Sequence, residues 1–237
     1  MGSSSIKNNL LYEIKSGRFE HESRLPPEAE LAKSFGVSRT SLRDALADLE
    51  NEGFILRRHG IGTIINKHVV SVATRIDLEV EFLDMIREAG AEPSLEIVDI
   101  STVQCTEDMA GKLDTIANTP VLSVARKISG DGMPVIYCTD YISFQVIKDY
   151  AYTDKDLSEP IFYFLSKFCD VDVSMDLSVI EPVLADEYLA GQLQVKVGAP
   201  LMMIDEIGYD VSGRRVLYSE EYYANRLLRH TVMRKKI

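Results

Sequence analysis

The sequence predicts an α+β chain: a small helical head at the N-terminus, then a larger antiparallel sheet domain with flanking helices. Three observations carry this. Residues 6–65 hold three short helical stretches followed by two strand-like runs around a glycine pair. From about residue 95, strand-like alternation and short helical stretches take turns, with a Gly130-Asp131-Gly132 hairpin signal between two strands. A length of 237 residues suits two modest domains. The expected division is residues 1–66, a linker over 67–76, and residues 77–237.

In the head, Ile6, Leu10, Leu11 and Ile14 recur at helical spacing and predict a first helix over Ile6 to Ser16. Pro26 and Pro27 cannot continue a helix from upstream, so the next one starts after them, at Glu28, and runs to Phe35. Gly36 ends it. Ser38 is an N-cap candidate, because its hydroxyl can accept from backbone donors of the following turn. The next helix runs from Arg39 to Asn51. At about 100° per residue, Leu42, Ala45, Leu46 and Leu49 share one side. Arg39, Thr40, Arg43 and Ala47 share another. Gly53 ends this helix. Phe54 to Arg57 reads as a strand, Arg58 to Gly62 as a turn, and Thr63 to Ile65 as a return strand.

Helix, turn, helix and β-wing in that order form a device for reading duplex DNA. An apolar-backed helix with a cationic front is what a helix–turn–helix inserts into the major groove. The arginine fork matches O6 and N7 of guanine together. Ala47 leaves room for close approach. A cationic, glycine-rich wing tip can lie against phosphate or the minor groove. Ser41 reads as a phosphate-contacting or surface residue rather than a base reader.

The text LPPEAELAKSFGVSRTSLRDALADLENEGFI, followed by RHGIGT, resembles the winged helix–turn–helix of the GntR family of bacterial transcription regulators. The resemblance spans about residues 6–66. It implies DNA contacts at Arg39, Thr40 and Arg43, and at the wing residues His59 and Gly60. Ser41 and Thr63 complete the expected DNA-facing set. Where family members often carry an arginine or threonine in the first helix of the motif, this chain has Ala29, so one contact is expected to be absent.

The net charge of −11 divides unevenly. Residues 1–67 hold 10 Lys and Arg against 9 Asp and Glu, net +1. The remainder holds 16 against 28, net −12. The acidic excess lies outside the reading head, where it repels phosphate and limits non-specific binding, or serves solubility alone. No apolar run approaches the ~20 residues of a membrane span. MGSSSIKNN lacks the apolar core of a signal peptide. Cys105, Cys138 and Cys169 are odd in number and far apart, without a CxxC pair, so neither a disulfide frame nor a zinc site is expected. A reduced cytoplasm fits this usage.

Beyond the head, residues 66–76 have no clear period and predict an extended or partly strand-like linker. A helix is expected over 77–89, from Val80, Phe82, Leu83 and Ile86 and the stop at Gly90. A strand follows at 95–100, a helix at 107–113, and strands at 121–129 and 134–142. A helix is expected over 161–168, a strand over 171–182, a helix over 185–193, and strands over 201–209 and 216–224. No internal repeat or low-complexity tract is evident.

FLDMIREAGAEPS, RKISGDGMPVIYCTDYI, IEP and VGAPLMMIDEIGYDVSGRRVLYSEEYY together resemble UTRA, the effector-binding domain of the HutC branch of the GntR family. The resemblance covers about residues 77–226. It implies a chorismate-lyase-like fold, a ligand pocket over the sheet and a homodimer. Arg126, Tyr141, Glu181 and Ser219 match family pocket positions. Asp140 stands near a position often held by glutamate, which is Cys138 here. A second arginine is replaced by Ile128, a serine by Pro160, and a late arginine by Tyr223 or Ala224. Tyr137 joins the expected effector-binding set of Arg126, Tyr137, Asp140, Tyr141, Glu181, Ser219 and Tyr223. With those arginines and the serine gone, the groups that hold a phosphate by charge-assisted hydrogen bonds are depleted. A neutral or cationic ligand is then as consistent as a phosphate. Glu181 lies in an apolar strand beside Pro182 and needs a partner, either Arg126 or a ligand. Asp205 and Glu206 read as solvated.

The expectation is a ligand-responsive repressor with no cofactor and no metal, acting as a homodimer on operator DNA. The rival reading is an enzyme, because the second domain's fold is shared with a lyase. Against it, 77–237 shows no nucleophile–base pair, metal spacing or phosphate loop. His21, His59, His68 and His230 all lie outside the expected pocket strands.

Overall fold

The computed structural model describes residues 3–72, 74–224 and 227–234. Its first unit is the chain up to Arg75, joined by a short stretch from Thr231 on; its second is Ile76–His230.

In the first unit the helices are α1 (Ser3–Lys15), α2 (Glu28–Phe35) and α3 (Arg39–Asn51). Ile6, Leu10, Ile14, Leu31, Leu42, Leu46 and Leu49 are buried, as the helical spacing of apolar residues requires. Gly36 ends α2 with φ 65°, a left-handed cap whose N–H bonds back into the last turn. Ser38 caps α3 by accepting from the Ser41 N–H. The wing is β1 (Ile55–Arg58) paired antiparallel with β2 (Gly62–Ile65). Its turn uses Gly60 at φ 75° and Gly62 at φ 99°. A helical turn, α4 (Lys67–Val70), stands where an extended linker was expected. That stretch has no proline or glycine to prevent one.

The second unit begins its regular structure at α5 (Phe82–Glu88), not at residue 77. Leu78, Val80 and Phe82 alternate with Glu79 and Glu81, which is strand period rather than helix period. The chain there turns at Ile76 and Asp77 and then runs as irregular backbone through Glu79–Glu81 to α5. Then follow β3 (Pro93–Gln104), α6 (Glu107–Leu113), β4 (Pro120–Gly130) and β5 (Met133–Ser143). After these come α7 (Asp154–Leu157) and α8 (Ile161–Phe164), which continues as a π turn over Leu165–Cys169. The rest is β6 (Val173–Leu184), α9 (Glu187–Leu193), β7 (Pro200–Asp210) and β8 (Arg215–Ala224). One sheet holds the six strands in the order β3-β4-β5-β8-β7-β6, all antiparallel.

That order is a duplicated unit, so the expectation of no internal repeat is corrected. β3–α6–β4–β5 and β6–α9–β7–β8 have the same layout, and β5 pairs with β8 at the centre. The helices are capped alike: Thr106 accepts from the Met109 N–H, and Asp186 from the Leu189 N–H. Asp114 and Gln194 end them in the left-handed region. Pro120 and Pro200 open the next strands. Arg126 faces Cys138 across the β4–β5 ladder, and Glu206 faces Ser219 across β7–β8. The sequence trace is faint, because the halves share caps and turns rather than side chains.

Side chains alternate between the sheet's two faces. One face carries Leu122, Val124 and Ile142 under Ile161 and Phe164, and Ile128 and Ile136 with Ile86. The other packs against α6 and α9 through Leu113, Leu193, Tyr218 and Tyr137.

Candidate functional site

In the head, Arg39, Thr40 and Arg43 are exposed on the front of α3. Arg43 Nε donates to Glu28 Oε2 of α2 at 2.7 Å, so in the free protein this guanidinium is held at the helix pair. The Ser38 and Ser41 hydroxyls are 2.8 Å apart, which ties Ser41 to the N-cap. His59 and Gly60 are exposed at the wing tip beside Arg58. Arg57 is braced by Glu50, Nε to Oε2 at 2.7 Å. Thr63 is half-buried, and its carbonyl accepts from the Leu25 N–H at 2.9 Å. Ala29 is exposed on α2. The arrangement presents cations on α3 and the wing, with the apolar residues turned inward.

In the second unit a cleft opens on the α5/α8 face of the sheet; about 480 Å³ is free of atoms when the solvent-open mouth is counted, while the enclosed part is about 20 Å³, little more than a water site. Val80, Phe82, Leu83, Leu95, Phe162 and Leu217 supply apolar wall. Polar groups reach it from four elements: Arg126 on β4, Asp140 on β5, Glu206 on β7, and Ser219 and Glu221 on β8. Glu79 and Glu81 reach it from the irregular chain before α5.

Arg126 is only 2% exposed, and each of its three guanidinium nitrogens makes a hydrogen bond. Nη1 donates to Asp140 Oδ2, while Nε and Nη2 donate to the Leu157 carbonyl at 3.4 and 3.2 Å. The Ser219 hydroxyl donates to Asp140 Oδ1 at 2.6 Å. Burial raises the Asp140 pKa, opposed by the Arg126 charge and the Ser219 hydrogen bond.

The remaining carboxylates have no such cation. Glu206 accepts from the Ser178 hydroxyl at 2.6 Å, and Glu221 accepts from the Tyr223 hydroxyl. Glu79 is exposed, and its carboxylate lies within 4.8 Å of those of Asp176 and Glu206. Those three are the one group among the described residues whose spacing would admit a metal ion. One buried oxygen of Asp176, Oδ1, has no hydrogen-bond partner. Among the described residues no ion pair reaches Glu79, Glu81, Glu206 or Glu221.

Desolvation, then mutual repulsion, raises their pKa values. Glu79 rises to about 9, Glu81 to about 7 and Asp176 to about 7. Glu206 is raised by burial, and Glu221 is pushed well up by burial and by the Glu206 charge. Like charges crowded into one cavity oppose each other's ionisation, which favours proton uptake there.

Of the expected effector set, the cavity brings together Arg126, Asp140 and Ser219. Tyr223 is buried on the same face and orients Glu221. Tyr137 and Tyr141 lie on the opposite face. The Tyr137 hydroxyl meets that of Tyr188 at 2.9 Å, and Tyr141 stacks on Tyr218 at 5.3 Å. Their odd position relative to Asp140 on one strand requires this. Glu181 is exposed on the edge strand β6, paired with Met203, also on the far face. It is not a buried carboxylate, and the partner of Arg126 is Asp140. Glu206, read as solvated, is buried instead. Sequence reasoning missed Glu79, Glu81, Glu206 and Glu221. The alternation over 78–82, and the shared parity of Ser219 and Glu221 on β8, were the available signals.

Residues 88–228 match the family described as UTRA domain, and residues 3–65 match the bacterial regulatory proteins of the gntR family. The chain is a UTRA-domain member of the gntR family. It is 24% identical over 218 residues to the HTH-type transcriptional repressor NagR of Bacillus subtilis, covering 92% of this chain and 88% of that protein. It is 25% identical over 200 residues to the histidine utilization repressor of Pseudomonas putida, covering 84% and 78%. Among solved structures, YydK from Bacillus subtilis superposes with a TM-score of 0.79 over 99% of this chain and 100% of that one, at 18% identity. At that identity the likeness speaks for the fold alone. As a gntR-family chain with a UTRA domain, this protein is a DNA-binding transcription regulator. No helix among the described residues is long and apolar enough to cross a membrane.

Proposed function

We propose that this regulator is a repressor, released from its operator when a small molecule fills the cavity of the second unit. The observation that carries the reading is the cavity itself. It is an apolar-walled space into which buried polar groups from four strands converge, together with two glutamates from the preceding loop, on the chain that also bears a winged head. The names of the relatives support repression.

In this reading Arg39, Thr40 and Arg43 enter the major groove, Ser41 contacts phosphate, and His59, Gly60 and Thr63 belong to the wing contact. A homodimer spans two half-sites, whose spacing is set by DNA pitch. The edge strand β6 supports self-association, since it leaves Met175, Leu177, Val179, Ile180 and Leu184 exposed. The protein works in the cytoplasm, where its operator lies. We read no catalysis in the cavity: among the described residues that line it, Ser219 is the one hydroxyl side chain and donates to Asp140, and none is a histidine or cysteine.

The test has two stages. Footprinting on the DNA upstream of the neighbouring genes should find a protected pseudo-palindrome. A thermal-shift screen should then find a small molecule that both raises the melting temperature and abolishes that protection. A ligand that stabilises the protein without changing operator affinity would refute control through this cavity.

A further inference from the structure

The duplicated sheet makes a comparison within the cavity. Arg126 on β4 faces Cys138, and Glu206 on β7 faces Ser219, at matching ladder positions. Asp140 on β5 pairs with Ser219, and Glu221 on β8 pairs with Cys138, across the central β5–β8 seam. Asp140 in the first half therefore corresponds to Glu221 in the second, and Arg126 to Glu206. One half places a guanidinium beside its carboxylate. The other half places a second carboxylate there.

Around that second position the charge is all of one sign. Glu206, Glu221, Glu79 and Asp176 converge, with Glu81 at the rim of the same cavity. Arg126, the one cation among the described residues that line the cavity, is paired with Asp140 and bonded to the Leu157 carbonyl. Glu206 and Glu221 are 9% and 6% exposed and receive only hydroxyl donors. An isolated buried carboxylate is costly, and a cation at this point removes that cost for several of them together. The wall opposite is hydrocarbon, from Phe82, Leu83 and Phe162. An anion would meet these carboxylates, and the only cationic donors facing it among the described lining residues would be the remaining N–H groups of Arg126.

We propose that the cavity takes a small organic cation, an amine on an apolar skeleton, whose ammonium sits between Glu206 and Glu221 at the place that Arg126 fills in the other half. The proposal rests on the reading of this cavity as the effector site and adds the chemical class of the effector. A cation at this point lowers the pKa values that burial and mutual repulsion raise in this group, so binding at neutral pH favours proton release.

The experiment uses the full chain and a matched set of probes: 2-phenylethylamine, 2-phenylethanol, 3-phenylpropionate, and Mn²⁺ alone. The amine should give the largest rise in melting temperature. Calorimetry at neutral pH in two buffers of different ionisation enthalpy should show proton release with the amine and none with the alcohol. Glu206→Gln and Glu221→Gln should each weaken amine binding on the order of thirtyfold. Because either variant could fold poorly, the buffer comparison on the unaltered protein stands as the second measurement. If the alcohol or the carboxylate binds better than the amine, and Phe162→Trp abolishes that binding, the cavity is a ligand site but not for cations. If binding survives both Phe162→Trp and the glutamine variants, the cavity reading itself fails. Tighter binding of Mn²⁺, lost in Asp176→Asn, would make this a metal site and overturn the organic cation. An amine that neither stabilises the protein nor releases protons overturns the proposal as well.

Discussion

Glu206 holds, in the second half of the sheet, the ladder position that Arg126 holds in the first. The two residues share a face, a depth and a neighbouring carboxylate, and differ in sign. Most of what distinguishes the cavity chemically follows from this exchange.

The first prediction concerns pH. Glu79, Glu206, Glu221, Glu81 and Asp176 all have pKa values raised on folding. The folded state then binds more protons than the unfolded one, so stability falls as pH rises. The loss should begin above the ordinary carboxylate range. It should continue through about 7, where Glu81 and Asp176 titrate, to about 9, where Glu79 does. Urea denaturation of the ligand-free protein from pH 5 to 9 should show this decline, and Glu206→Gln should flatten it. A stability that climbs over that range would contradict the buried, unmatched carboxylates.

The second concerns the matched pair. Arg126→Met leaves Asp140 buried with only the Ser219 hydroxyl, and should destabilise the protein by about 3–5 kcal/mol. Adding Asp140→Leu should recover much of that loss, since removing both charges leaves no uncompensated one. Chemical denaturation of the single and double variants measures it. A double variant no better than the single would argue that Arg126 acts through the Leu157 carbonyl instead.

The third concerns base reading. Arg39→Ala or Arg43→Ala should weaken operator binding by about 1–3 kcal/mol and relax specificity. Titrations on operator and random DNA at one salt concentration distinguish this from phosphate contact, for which both affinities fall equally. Arg43 must also leave Glu28, or share it with DNA, on binding. Glu28→Gln should therefore raise affinity for random DNA and reduce discrimination.

The fourth concerns the wing. Gly60 is exposed at φ 75°, a region that side chains branched at Cβ rarely adopt. Gly60→Val should distort the turn and block close approach, lowering operator affinity while the melting temperature changes little. Gly60→Asn, which tolerates the left-handed region, should be milder. Footprints of the two variants provide the comparison, and equal protection by Gly60→Val and the unaltered protein would place the wing outside the interface.

Much of the architecture was legible from local signals. Pro26-Pro27, Gly36 and Ser38 set the bounds of two helices, and Gly130 to Gly132 marked a hairpin, because backbone sterics act within a few residues. The front of α3 was legible for the same reason: helical spacing alone puts Arg39, Thr40 and Arg43 on a different arc of the helix from Leu42, Ala45 and Leu49. The cavity was less so. Tyr141 and Asp140 are adjacent letters, but successive strand side chains point to opposite faces, so they serve different layers.

Within the sequence, then, lay the order of elements, the cationic front of the reading helix and the acidic balance of the second half. Each depends on composition or on periodicity over one turn or one strand. Only the tertiary structure decided that Glu181 stands exposed at a sheet edge while Glu206 is buried, though both lie in strands of similar letters. It also decided that Arg126 is consumed by Asp140, and that Glu79, Asp176, Glu206 and Glu221 converge without a cation. Those facts depend on register within each hairpin, which sets Arg126 near Asp140, and on strand order across the sheet, which joins segments as far apart in the chain as Glu79 and Glu206. No local pattern encodes which strand lies beside which, and so the sign of the cavity emerged only when the two halves of the sheet were joined.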